Sequence, residues 1–86
     1  MLRKSGLTGN VFTMTATDLE QGASAIVTGL IMNVMSGRLM ALGIRKGARI
    51  EKMRKTTGGG ILFRIEDHRV VVHHSLTDLI EVRKEI

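Results

Sequence analysis

Ser36-Gly-Arg-Leu-Met-Ala-Leu-Gly-Ile-Arg-Lys-Gly47 is the stretch that decides how this chain folds. Met35, Leu39 and Leu42 recur at i, i+4 and i+7, the spacing that lines one side of a helix, while Arg38 projects elsewhere. Gly43 follows the last of them, and glycine takes the left-handed conformation just past a helix end without steric penalty. Ile44 then acts as an apolar plug. Gly47 marks a second sharp turn, and Ala48-Arg-Ile-Glu-Lys-Met53 begins to alternate as a strand does. The expected unit is helix, glycine cap, turn and strand, with Asn33 and Ser36 both competent to cap the start.

Working outward, Ala23-Ser-Ala-Ile-Val-Thr-Gly-Leu-Ile31 reads as the strand before the helix, with Gly29 placed to bend or bulge it. Residues 1–16 are expected to be a loose arm or extra edge strand, and residues 17–86 the domain. Thr17-Asp-Leu-Glu20 has the spacing of a capping box, with Leu19 as its anchor. Downstream, Thr56-Thr-Gly-Gly-Gly60 frees the backbone for a hairpin. Ile61, Phe63 and Ile65 alternate with Leu62 and Arg64, giving one apolar face. Glu66-Asp-His68 reverses the chain, with Asp67 suited to turn geometry, and Arg69–His73 returns antiparallel. Ser75-Leu-Thr-Asp78 is a further capped turn, and Leu79–Val82 the last strand. Five short strands joined by tight turns predict a mainly antiparallel sheet. In a chain of 86 residues, rolling that sheet covers apolar surface and limits open edges, so a small SH3-like barrel with one inserted helix is expected.

The chain contains no cysteine, which removes disulfides and thiolate metal sites and suits a reducing compartment. No run reaches the roughly 18 apolar residues of a membrane span, and polar residues interrupt any leader-like apolar stretch at the N-terminus. A soluble cytoplasmic protein without membrane insertion is expected. Charge is concentrated: Arg38 to Lys55 carries seven basic residues against Glu51, a net of +6, whereas the rest from Thr17 onward nets −3. Such a patch suits nucleic acid, an anionic surface or an acidic protein face.

The series Arg38-Leu-Met-Ala-Leu-Gly-Ile-Arg-Lys-Gly47, Ile50, Gly58-Gly59, Ile65, Val70–Val72 and Leu79–Val82 resembles the FeoA domain, over about residues 17–86. The resemblance implies an SH3-like barrel serving as a small cytosolic accessory of bacterial ferrous iron transport, whose partner is the GTP-binding permease FeoB. A similar domain ends iron- and manganese-dependent repressors. This chain departs from the family pattern at Lys46, usually proline, at the turn near Asp67, often glycine, and at Lys52, usually apolar.

Nucleophile, base and orienting group do not converge in the sequence, and Gly58-Gly-Gly60 is followed by Ile-Leu-Phe rather than a P-loop lysine, so no enzyme and no cofactor are expected. His68 and His73 lie about 16 Å apart along one strand. His73 and His74, the remaining metal candidates, are strand neighbours that should face opposite ways unless the strand breaks there. A nucleic-acid-binding barrel is the main alternative, and a detached repressor-type domain another. Phe12 and Phe63 are the only aromatics, however, too few for base stacking or a proline-peptide groove. Methionines 32, 35, 40 and 53 are expected mostly in the core, with Met40 off the apolar stripe beside the Arg38 side of the helix. The expected partner contacts are Arg38, Met40, Arg45 and Lys46, on a surface shaped by Leu39, Leu42, Gly43 and Gly47.

Overall fold

The computed structural model describes residues 14–85; most of the expected N-terminal arm, with Phe12, lies outside them. Six strands form one antiparallel sheet: β1 (Met14–Thr15), β2 (Ser24–Leu30), β3 (Arg49–Lys55), β4 (Gly60–Ile65), β5 (His68–His73) and β6 (Ile80–Lys84). Their order across the sheet is β1-β6-β2-β3-β4-β5. One short helix, α1 (Ser36–Ala41), lies between β2 and β3. This is the small, mainly β, SH3-like barrel that the alternating pattern predicts. The strand beyond the expected five is β1, two residues that pair Met14 with Val82 and Thr15 with Glu81.

Alternation sets the core. Ala25 and Val27 on β2, Ile50 on β3, Ile61, Phe63 and Ile65 on β4, Val72 on β5 and Ile80 and Val82 on β6 all turn inward and are buried. Leu39 and Ile44 close one side of this core, Ala16 and Leu19 another. Gly29 does mark an irregularity: the register of β2 on β6 slips between Val27 and Gly29. The curl stops short of closure, because edge strands β1 and β5 do not pair. Two 3-10 turns bridge the gap, Ala16–Asp18 and His74–Leu79. The Thr17 hydroxyl lies 2.6 Å from that of Thr77, and Thr77 donates to the His74 carbonyl at 2.9 Å. Since each hydroxyl has one proton, Thr17 donates to Thr77.

Two local expectations, both of helix-turn caps, are corrected, and a third turn is defined more closely. The N-terminal turn is capped two residues earlier than its sequence signature: the Asp18 carboxylate accepts from the Thr15 N–H at 3.0 Å. This places Ala16 fully in the core, while Thr17 is taken up by the seam with Thr77. The β4–β5 reversal falls at Glu66-Asp67 as expected, and within it Glu66 takes the left-handed conformation (φ 56°). The Glu66 N–H donates to the Arg49 carbonyl and its carboxylate accepts the Arg49 N–H, two contacts that hold a non-glycine residue in that region. The turn at 74–79 is capped by His73, whose Nδ1 accepts from the Ser75 N–H at 3.1 Å, rather than by Ser75.

Candidate functional site

Neither Asn33 nor Ser36 is the cap of α1: the N-cap position is Met35 and no side chain caps it. Asn33 and Ser36 (the first residue of the helix) instead fix the loop that enters it. Asn33 Oδ1 accepts from the Met35 N–H at 2.6 Å, and Ser36 Oγ accepts from the Asn33 N–H at 2.6 Å. The Ser36 hydroxyl proton faces the carbonyls of Ile31 and Asn33, which explains why a serine is buried there. The helix ends in a full Schellman motif. The Ile44 N–H donates to the Leu39 carbonyl at 3.1 Å and the Gly43 N–H to that of Met40 at 2.9 Å, with Gly43 at φ +92°. Leu39 and Ile44, the two ends of that motif, bury together.

Four residues on, Val27 donates to the Ala48 carbonyl and accepts from the Gly47 N–H at 2.7 Å. Gly47 (φ +93°) and Ala48 thus oppose one residue of β2, a glycine bulge that anchors the turn carrying Arg45 and Lys46. Arg38, Arg45 and Lys46 are exposed and make no ion pair with any described residue.

The expected surface is altered in composition. Arg38 and Met40, two residues apart, are about 200° apart around the helix, so they lie on nearly opposite sides. Arg38 instead lies beside Leu42, about 40° away. Leu42 is not a core residue; it is 37% exposed, because the helix stops before a third turn can bury it. The methionines expected in the core are corrected likewise: Met32 is exposed and Met35 and Met53 only half-buried, while Met40 is exposed, as its place off the stripe implies. The residues missed by sequence reasoning are Ile31, Met32 and Val34 in the loop entering α1; Val34 is 94% exposed and Met32 69%. Their signal was a run of apolar residues, Leu30 to Val34, broken only by Asn33 and lacking strand or helix period.

The basic run does not form one patch. Arg49 pairs with Glu85 at 3.0 Å, which raises the guanidinium pKa through hydrogen bond and charge together. Lys52 turns toward the core face and donates to the carbonyls of Leu19 (2.8 Å) and Thr17 (3.3 Å). Lys55 lies at the far end of β3, about 20 Å from Arg49 at strand rise. What remains at the helix is Arg38, Arg45 and Lys46.

The strand does break between His73 and His74, where β5 gives way to the 3-10 turn. Their rings therefore come side by side, 4.4 Å between centroids, instead of facing opposite ways. His73 Nδ1 is taken by Ser75. Among the described residues no three His, Cys, Asp or Glu side chains gather as metal ligands, and no helix is long and apolar enough to cross a membrane.

The family model of the FeoA domain matches residues 14–84, from the first strand of the sheet to the end of the last. The chain belongs to the FeoA-domain family. Among solved structures, a FeoA-like protein from Clostridium acetobutylicum superposes with a TM-score of 0.77 at 20% identity, over 86% of this chain and 88% of that one. Zinc-complexed FeoA from Stenotrophomonas maltophilia gives 0.68 at 25% identity, over 81% and 89%. That protein is described as a procaryotic SH3 domain protein and candidate ferrous iron transport activating factor. A manganese-dependent transcriptional repressor shares the fold at 18% identity with a TM-score of 0.73; the match covers 85% of this chain but 41% of the repressor. No curated protein matches the chain significantly.

Proposed function

We propose that this FeoA-domain protein is a non-enzymatic, cytoplasmic accessory of ferrous iron uptake that works by docking α1 and its flanking loops on the cytosolic part of a FeoB-type transporter. The observation that carries the docking site is a mixed surface: exposed Met32, Val34, Met40 and Leu42 around a helix whose nearby cations, Arg38, Arg45 and Lys46, are uncommitted. Apolar anchors with an adaptable methionine share and a charged rim are what a transient protein contact uses. The rigid Schellman cap and the Gly47 bulge hold those residues in place, so little ordering is left to occur on binding. Membership of the family supports the iron-transport context.

The experiment is a titration of the whole protein against the transporter's soluble domain. Reversing charge at Arg45 and Lys46 together is expected to weaken binding about tenfold or more, chiefly through slower association at low salt. Unchanged affinity in that variant removes the docking site; no binding by the wild type removes the partner.

A further inference from the structure

Cross-strand partners in an antiparallel ladder share a face of the sheet. Lys52 pairs with Phe63 and Lys55 with Ile61, and both partners are buried in the core. The two lysines therefore lie on the inner face of the sheet, although a spacing of three would put them on opposite faces of a regular strand. The reason is a bulge. Between Lys52 and Arg54 the register advances two residues on β3 for one on β4, so Met53 is the extra residue and everything after it changes face. Arg54, opposite Leu62, turns outward and Lys55 turns in.

Both lysines line an open cleft of about 560 Å³ at the mouth of the barrel, with Thr56, Gly59, His74 and Asp78 around it. The imidazoles of His73 and His74 pack on Gly59, within 3.0 Å of where a Cβ would stand, with the His74 ring at the edge of the cleft. Lys52 uses two of its three N–H donors on backbone carbonyls and keeps one. Lys55 and His74 make no hydrogen bond or ion pair through their side chains to any described residue. Burial and the approach of Lys55 both depress the Lys52 pKa, so the arrangement is unfavourable until something anionic enters it. Two acids temper it: Asp78 in the lining and Asp18, whose charge acts on Lys52.

We infer that the barrel mouth binds a compact oxyanion, the phosphoryl or carboxylate group of a small molecule, on Lys55, His74 and the free proton of Lys52. The bulge is what aims Lys55 at it. The lining holds no phenylalanine, tyrosine or tryptophan, so the site reads the anion and not a base attached to it. This site is separate from the α1 docking surface and does not depend on it.

The test is a heteronuclear NMR titration of the isotope-labelled whole protein with pyrophosphate and, in a separate arm, citrate, both at constant ionic strength. Saturable shifts at the amides of Lys55, Thr56, Gly59 and His74 are expected in at least one arm; pyrophosphate alone identifies a phosphoryl group, citrate alone a carboxylate. Lys55→Gln should weaken binding about fivefold to tenfold, the loss of one charge-assisted hydrogen bond. Asp78→Asn should tighten it. Lys84→Gln, an equal change of net charge on β6, should leave it unaltered. Shifts that fail to saturate in both arms, or an equal loss in Lys55→Gln and Lys84→Gln, overturn the site.

Discussion

His68 Nε2 lies 3.0 Å from the carbonyl oxygen of Leu42, so a side chain from the start of β5 closes the end of α1. The carbonyl accepts, which places a proton on Nε2. The ring also sits 3.2 Å from where a Cβ on Gly43 would stand, whereas nothing lies within 4 Å of the equivalent point on Gly47. The two glycines have nearly the same φ, so they form a matched pair. Gly47→Ala should cost only the left-handed strain, about 1 kcal/mol. Gly43→Ala should cost more, because His68 must also move. Thermal unfolding by circular dichroism suits a chain without tryptophan or tyrosine, and adding His68→Ala to Gly43→Ala should bring its penalty down to that of Gly47→Ala. Equal penalties for the two single variants would show that His68 exerts no steric control.

Lys52 gives stability a pH dependence whose sign is fixed. Its pKa is lowered in the folded protein, first by burial and then by Lys55. Between that lowered value and the ordinary 10.5 the unfolded chain binds more protons than the folded one, so stability rises with pH across the window. The charged form is thus the less comfortable one in the native barrel at neutral pH. Denaturant midpoints taken from pH 8 to 10.5 should climb in the wild type and flatten in Lys52→Met, a variant that keeps the stem and loses the ammonium. A midpoint that falls with pH in the wild type but not in Lys52→Met contradicts this reading.

The seam between β1 and β5 rests on one buried hydroxyl. Thr77 is 1% exposed, accepts from Thr17 and donates to the His74 carbonyl. Thr77→Val keeps the shape and leaves both groups without that partner, at a cost of about 1–2 kcal/mol. Because the two 3-10 turns are joined there, amide exchange in residues 16–19 and 74–79 should quicken more than exchange in β3 and β4. Uniform quickening across the sheet would mean that the hydroxyl pair stabilises the whole domain and not the seam.

Physics that acts within a few residues was largely legible in the sequence, the caps at Thr15 and His73 excepted, and physics that acts between elements was not. Gly43 followed by Ile44 announced the Schellman end, because the glycine conformation and the apolar plug are both local requirements. The glycines at 58–60 announced their hairpin for the same reason. Leu42 misled, since helical periodicity says nothing of how many turns the helix completes before its cap. Lys52-Met-Arg-Lys55 looked like part of a single basic face; the bulge at Met53 that turns Lys55 inward arises from pairing with β4 and leaves no mark in composition. The His73–His74 stack depended similarly on where β5 ends. Ile31, Met32 and Val34 could have been suspected, but apolar residues without a period give no direction.

Leu39 and Val34 separate folding from docking. Leu39 is 1% exposed and Val34 94%, although both are aliphatic and five residues apart. Leu39→Ala opens a cavity under the Schellman cap and should cost about 2–5 kcal/mol. It also loosens the seat of Arg38 and Met40, so any loss of partner binding in that variant is indirect. Val34→Ser touches no packed neighbour of consequence and should leave the unfolding midpoint within error of the wild type. If the loop entering α1 contributes apolar anchors, Val34→Ser still weakens binding to the transporter's soluble domain, by about fivefold to tenfold for a side chain buried on docking. Full affinity in Val34→Ser, with Arg45 and Lys46 still required, would confine the contact to the cationic turn and exclude the apolar loop from it.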